Sequence, residues 1–596
     1  MKKVKLFNAI LLSLSIAALA SCNESEEITI PGNSLPEITL DSETGVYTVK
    51  VGRELVVDPQ VKNNEGAEYF WELEGDIISR KQRLSYVFDH EDSIFITFRV
   101  ETKAGTAEKE LKVNVVATAP PVISLALPSD GFKALAGREY LFAPDVQNGE
   151  GAEFSWYLDG EPVSEDKDYT FMQQTAGDYE LRITAVNEDG EDERTFAVSV
   201  MDGFPVSITF PKPMWNTDPL KKSVSLGRTL FLRPCVENAV DAEYSWAVND
   251  VVQHGAGSDG RMFGFTPDAV GEYKVKFTVT DKAPGGPQGG GVSATDKRVT
   301  SVELTVTCYG EEETLMKNTT GQRHWNRVYE YLPAPGQFVN ETKVGGFTGE
   351  STFAQAIDYA EKRLAANIAD KNKNSYLSLG GFGGYIIVGF DHSVRNLGGY
   401  DFSAVRSKSD GSSEPGIVWV MQDTNGNGIP DDEWYELKGS EYGKPETAQE
   451  YAVSYYRPAG SGMDVQWSDN LGNTGRIDHL ASFHPQAHYY PLWMEAVSYT
   501  LYGSRLQHRT TQKPNGEWIN GDFDWGYADN MGSDTFAEGD DAAKTYFKIS
   551  NAVNLDGSPA ELKYIDFVKV QSGVNMKAGW LGELSTEVFG FEDENL

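Results

Sequence analysis

The chain has 596 residues, 24% charged and 40% hydrophobic, with a formal net charge of −37. That length exceeds what one hydrophobic core organises and predicts about four domains. So acidic a surface repels nucleic acid and anionic headgroups, which excludes both as partners, and no run after residue 22 approaches the roughly 20 apolar residues that a membrane-spanning helix needs.

The chain opens on Lys2, Lys3 and Lys5, then an apolar run from Leu11 to Ala20 that is too short to span a bilayer. Leu19, Ala20 and Ser21 lead into Cys22. This start resembles a bacterial lipoprotein signal. The resemblance implies cleavage after residue 21 and acylation of Cys22, which becomes the first residue of the mature chain. The acidic stretch Asn23-Glu24-Ser25-Glu26-Glu27 resembles the surface-export signal of Bacteroidetes lipoproteins. Residues 1–21 are thus expected to be a signal peptide and 22–35 an acidic tether. The expected location is the outer surface of the outer membrane, reached through the lipid anchor alone.

Three segments then repeat one pattern. Gly52, Gly137 and Gly227 each open a strand-like run that ends in proline, and Trp71, Trp156 and Trp246 follow 19 residues after each glycine. Stretches such as Ile96–Val100, Tyr179–Ile183 and Tyr273–Phe277 alternate apolar and polar residues, as strands with one buried face do. A tryptophan at a fixed place after a strand and turn suits the core of an immunoglobulin-like sandwich. The copies resemble the PKD-like modules of bacterial surface proteins, with boundaries expected at 36–118, 119–203 and 204–308. The Gly/Pro tract 283–291 reads as a long loop. Cys235 and Cys308 fall in the third copy, as either a disulfide or two separate thiols. Nothing in the copies assembles chemistry, so they read as spacers.

Residues 309–596 hold eight of the twelve tryptophans and six of the eight histidines. A helix is expected over Thr352–Ile368, with Thr352 and Gln355 as a capping box and Phe353, Ile357, Ala360, Leu364 and Ile368 as an apolar stripe. Strands are expected at 384–390, 400–405, 416–420, 451–456 and 564–570, which are short, β-branched or aromatic, and bounded by turn residues. The fold class is therefore all-β: three tandem immunoglobulin/PKD-like sandwiches, then a larger jelly-roll-like β domain with one or two helices. The run Leu379 to Gly389, with Tyr400-Asp401-Phe402 and Glu414-Pro415-Gly416, resembles lectin-like jelly rolls of bacterial surface proteins.

Asp423, Asn425 and Asn427 alternate before Gly428, and the carbonyl of Ile429 and the side chain of Asp431 follow. This is the spacing of a loop that wraps oxygen ligands around Ca²⁺. Trp434 stands where a helix–loop–helix site has its closing glutamate, so Asp432 or Glu433 would have to close the shell and the setting is a β-hairpin. The alternative is a solvated Asn/Gly turn; bound Ca²⁺ would be structural. His479, His484 and His488 lie within ten residues, but the flanking prolines favour a loop with hydrogen-bonded histidines over a Zn²⁺ site. Two segments share the form aromatic-x-Asp-Asn-x-Gly: Trp467 with Asn470, and Tyr527 with Asp529 and Asn530. They read equally as tight turns or as an aromatic platform beside a ligand. Trp525 adjoins the second, and Trp493, Trp518 and Trp580 come from the same half of the chain. No Gly-x-Ser-x-Gly elbow, Cys–His pair or phosphate loop is present.

Tyr329–Phe338, Leu379–Tyr385, the acidic loop and Trp525–Asn530 give 309–596 a resemblance to the surface lipoproteins that capture cobamides for TonB-dependent uptake in gut Bacteroidetes. That resemblance implies a non-enzymatic role: binding a vitamin B12-type ligand and passing it to an outer-membrane transporter. The residues expected near the ligand are Trp467, Asn470, His484, His488, Trp525, Tyr527, Asp529 and Asn530. The alternative is a surface glycan-binding lipoprotein of a polysaccharide utilisation system; a metal-dependent hydrolase comes third.

Overall fold

The computed structural model describes residues 35–42, 45–253, 260–281, 298–341, 352–370, 375–406, 412–514, 516–538 and 542–596. The signal peptide, Cys22, most of the acidic tether and the Gly/Pro tract lie outside these residues. The described residues fall into two compact units, one within 1–41, 55–86 and 95–111, the other within 42–54, 87–94 and 112–596.

In the smaller unit Glu68–Leu73 pairs antiparallel with Ile96–Glu101. Trp71 is fully buried and stacks on Phe98 at 4.3 Å between ring centroids.

The larger unit holds the other two copies, each built on a five-stranded sheet. In the second copy the strand order is Phe132–Leu135, Gly190–Met201, Gly177–Asn187, Glu153–Leu158, Glu161–Ser164. In the third it is Lys221–Val224, Arg298–Cys308, Gly271–Asp281, Ala242–Val248, Val251–Gln253. The first strand of each sheet runs parallel to its neighbour and the others are antiparallel. Pairs of short strands complete each sandwich.

The spacing seen in the sequence now has a cause. The repeated glycine turns the chain with a left-handed φ of 75° at Gly52, 74° at Gly137 and 78° at Gly227, a region costly for residues with a Cβ. Each tryptophan is buried while its indole N–H donates to a backbone carbonyl: Trp71 to Lys81, Trp156 to Lys167 and Trp246 to Gly260, at 2.9, 3.1 and 3.2 Å. A buried indole needs such a partner. Cys235 and Cys308 are two separate free thiols.

From residue 309 the strands form three layers. The central sheet has six antiparallel strands in the order Arg327–Leu332, Tyr385–Arg395, Tyr564–Ser572, Gly416–Met421, Trp434–Leu437, Ala552–Val553. Ile386 and Val388 join one core, with Phe402, Ala404, Phe547 and Phe591 of a four-stranded sheet and with Ala356, Ala360 and Leu364 of the helix. Tyr385 and Ile387, on the opposite face, join a second core with Tyr451, Val453, Tyr455, Val465, Tyr499 and Leu501 of another four-stranded sheet. Covering on both faces explains why the central strands read as unbroken apolar runs.

The helix spans Phe353–Ala369 with the Thr352–Gln355 capping box in place. Its buried stripe runs through Ala356, Ala360 and Leu364, whereas Ile368 is 42% exposed. The small alanines bring the helix close to the strand beneath it, and Asn367 of its last turn donates to Ser375 O and Phe589 O at 2.7 and 2.8 Å.

Candidate functional site

The strands Val465–Asp469 and Thr474–Ile477 form a hairpin at the edge of the second flanking sheet. Its turn explains one Asp-Asn-x-Gly segment. The carboxylate of Asp469 accepts from the backbone amides of Leu471 and Asn473 at 3.0 and 2.7 Å. Asn470 ties the turn to the neighbouring strand, accepting from Ala452 N at 3.1 Å and donating to Glu450 O at 2.7 Å. Asn470 is thus a fastening of the turn. Trp467 sits opposite Gly475, and a Cβ there would collide with the indole, so the ring lies across its partner strand.

Facing this hairpin is the segment Asn575–Glu583, closed by a bridge between Lys577 and Glu583. Between them lies a cleft of about 520 Å³, within the size range of small-molecule sites, with Trp467, Ile477 and Met576 as its larger apolar lining and Asp464, Arg476, Asp478, Asn575, Lys577 and Glu583 as its polar lining. Most of the polar groups are held in place. Arg476 pairs with Asp464 at 3.3 Å, Lys577 with Asp478, and Asn575 donates to the Tyr451 hydroxyl at 2.9 Å.

Glu583 differs. It is buried; Oε1 accepts from the Gln337 amide at 2.7 Å, while Oε2 is enclosed without a hydrogen-bond partner among the described residues. Burial pushes its carboxyl up to about 8, against the opposing pull of the Gln337 amide. At neutral pH the site therefore offers a neutral carboxyl that can donate as well as accept. A carboxyl raised in the folded state contributes stability below its unfolded value near 4.5, lost as pH rises through about 8. Glu583→Gln is accordingly expected to be more stable than the parent at pH 8.5, by roughly 3–5 kcal/mol, and equal to it near pH 4.5. Urea unfolding at the two pH values checks this; a pH-independent difference would remove Glu583 as a titrating group.

The second Asp-Asn-x-Gly segment faces inward. Tyr527 is 2% exposed, packs with Ile417, Leu506, Phe523 and Val574, and accepts the Glu441 amide at its hydroxyl at 2.9 Å. Asn530, fully buried, clasps Phe523 through both backbone groups at 2.8 and 2.9 Å. Asp529 Oδ2 accepts from Glu587 N at 2.9 Å. Trp525 is half-buried, and its carbonyl accepts from Ser440 N at 3.0 Å. Among the aromatic candidates whose side chains are described, Trp467 lines the cleft. Trp493 is core and Trp518 half-buried. Beside Asp529, burial and the Asp529 and Glu587 charges raise the Glu414 carboxyl well above its usual range, and burial first, then Asp529, pushes Glu587 up to about 8.

His479 and His484 have separate partners. His479 Nε2 lies 2.8 Å from Gln486 O, and His484 Nδ1 lies 2.7 Å from Glu341 Oε2 with Phe338 edge-on to its ring. His488 is half-buried, and burial pulls its imidazole below the usual value. Among the described residues no three His, Cys, Asp or Glu side chains form a group that could hold a metal ion. The acidic loop is closed by hydrogen bonds among its own groups. Asp423 Oδ2 accepts from Gly428 N at 3.0 Å, and Asn425 and Asn427 both donate to Asp431 Oδ1, at 2.9 and 3.1 Å. Two expected ligands act otherwise: Asp432 braces the loop by accepting from Thr424 and Asn425 amides, and Glu433 pairs with Lys222 at 3.2 Å.

Residues 35–102 and 120–187 match the PKD-like domain family. The first two copies are PKD-like repeats. Solved structures similar to the chain include a titin I-band fragment, I67–I69, at 14% or less identity in its two forms; the first is 13% identical, covering 46% of this chain and 98% of its own, with a TM-score of 0.14. Domains 3–5 of the Drosophila OTK extracellular region are 12% identical over 44% of this chain and 94% of theirs, at 0.19. The fibronectin(III)-like modules of Clostridium thermocellum CbhA are 15% identical over 28% and 94%, at 0.17. Scores this low speak neither to ligand nor to module arrangement. No curated protein matches the chain. PKD-like repeats are consistent with a cell-surface binding role, and among the described residues no helix is long and apolar enough to cross a membrane.

Proposed function

We propose that this chain is a surface-tethered capture protein: anchored through Cys22, spaced from the outer membrane by three sandwiches over 36–308, and binding a cobamide with residues 309–596 before passing it to a TonB-dependent transporter. The supporting observation is the cleft, where an indole wall stands beside the neutral carboxyl of Glu583 and the amide of Asn575. A cobamide offers a broad apolar macrocycle ringed by carboxamides, and amides pair with neutral donors and acceptors. Since a whole corrinoid is larger than the cleft, one edge of the macrocycle enters it and the rest stays outside. Handing on a ligand favours such partial enclosure.

A glycan is the second reading, favoured by the indole of Trp467 beside Arg476 and Asp478. Aromatic faces flanked by charged hydrogen-bonding groups suit sugar rings. Purified protein mixed with cyanocobalamin and desalted decides between them. One red ligand per chain is expected, and Trp467→Ala should weaken binding at least tenfold, about 1.4 kcal/mol, without lowering the melting temperature. A colourless eluate, with calorimetric heat on adding glycans, replaces the cobamide by a glycan.

A further inference from the structure

We infer that the amine of Lys569 is a covalent capture site for a small aldehyde, which it holds as an imine within a cage of three aromatic rings. Lys569 stands on Tyr564–Ser572, the third strand across the central sheet. Cross-strand pairing sets one row over that sheet, in the order Glu330, Ile387, Lys569, Trp419, Glu436. Residues opposed in a ladder share a face. The lysine therefore has an indole on the next strand and a carboxyl two strands away on either side.

Its Nζ lies 4.9 Å from the ring centroids of both Trp419 and Trp434, and 5.8 Å from that of Tyr385. Among the described residues Nζ makes no hydrogen bond and no ion pair. The rings are themselves fixed. Trp434 donates its indole N–H to Pro213 O at 3.0 Å, and Tyr385 hydrogen-bonds to Glu330, whose two oxygens accept from Trp215 N at 3.1 and 3.2 Å. Lys569, Trp419 and Trp434 are each only half-buried, so the cage lies beside solvent and is not sealed in the core. An ammonium gains from ring faces but loses more in hydration. Burial accordingly lowers this amine to about 8, against the pull of Glu330, Glu433 and Glu436. At about pH 7.5 roughly a quarter of such amines carry a free lone pair, against about one in a thousand for an ordinary lysine.

Desolvated lysines of this kind attack carbonyls. The Nζ lone pair forms the C–N bond while the carbonyl π pair moves to oxygen. The two amine protons end on that oxygen, which leaves as water, so the step consumes no oxidant or reductant. A protonated imine is again a cation, and the same three ring faces hold it. Glu330 and Glu436 supply compensating charge from the two ends of the row. Burial raises each to about 7, against the Trp215 amide in the first and the Ser504 hydroxyl in the second. Aromatic walls flanked by carboxyls favour a short, uncharged aldehyde over an anionic one. The site shares no residue with the cleft and does not depend on what the cleft binds.

The test treats the full chain with propionaldehyde and cyanoborohydride, which reduces an imine to a stable propylamine, and locates the product by peptide mass spectrometry. At about pH 7.5 the first propyl group is expected on Lys569, at least tenfold faster than on the exposed Lys362 of the helix. The rate at Lys569 should rise with pH through a midpoint near 8. Glu436→Gln removes a charge that favours the ammonium and should move that midpoint down. Trp434→Leu opens the cage and should move it up while slowing the reaction; should that variant fail to fold, Glu436→Gln carries the comparison. Labelling of Lys569 no faster than that of Lys362 overturns the site, and so does a midpoint that Glu436→Gln leaves unmoved.

Discussion

Gly384→Ala is expected to prevent the terminal domain from reaching its native fold. A Cβ at this position would fall on the carbonyl oxygen of Leu379 and the amide nitrogen of Ala334. Those two atoms form a backbone hydrogen bond of 3.0 Å that joins Leu379 to the segment after Arg327–Leu332. A methyl group there opens the bond and leaves a buried donor and acceptor unsatisfied, at about 1–3 kcal/mol each, on top of about 1–3 kcal/mol for overpacking. The combined penalty, roughly 4 kcal/mol or more, is a large share of a domain's stability. Gly472→Ala is the matched control. Gly472, unlike Gly384, has a positive φ, 86°, but a Cβ there meets nothing within 4 Å, so only the backbone penalty of about 1 kcal/mol applies. Circular dichroism and urea unfolding of both variants check the contrast; equal, small losses would mean the strand junction is not packed as described.

Trp156→Ala is expected to destabilise the second sandwich by about 3–5 kcal/mol. The side chain is fully buried, with Phe142, Tyr169 and Phe196 at 6.1, 5.4 and 6.5 Å between ring centroids. Truncation removes the indole area, leaves a cavity that the two layers cannot close, and deprives Lys167 O of its 3.1 Å hydrogen bond. Trp156→Phe restores most of the apolar volume but not that bond, so it should recover more than half of the loss. Because the proposed ligand contacts lie in 309–596, neither variant should alter cyanocobalamin affinity while the chain stays folded. A loss below about 1 kcal/mol for the alanine variant would show that the tryptophan is not the centre of its sandwich.

Much of this architecture is written locally. Alternation over Tyr179–Ile183 requires one buried face, and the Gly–Trp spacing repeats because one residue must turn with positive φ and the other must fill a core while donating its N–H. The helix at Phe353–Ala369 announces itself through Thr352 and Gln355, whose capping bonds are made within four residues. The Asp423–Asp431 loop is likewise legible, because its hydrogen-bonding groups come from one continuous stretch.

The cleft was not legible in this way. Its two walls, 464–478 and 575–583, are separated by about a hundred residues, and no local signal distinguishes Glu583 from the many exposed carboxylates of so acidic a chain. Burial alone makes that residue unusual, and burial is a property of what packs around it. The two aromatic-x-Asp-Asn-x-Gly segments make the same point. Asn470 fastens a hairpin beside the cleft, whereas Asn530 lies fully buried and clasps Phe523. Identical short-range preferences favour a turn in both. Which face of the turn meets solvent was decided by the layers above and below, through hydrophobic contacts far apart in the chain.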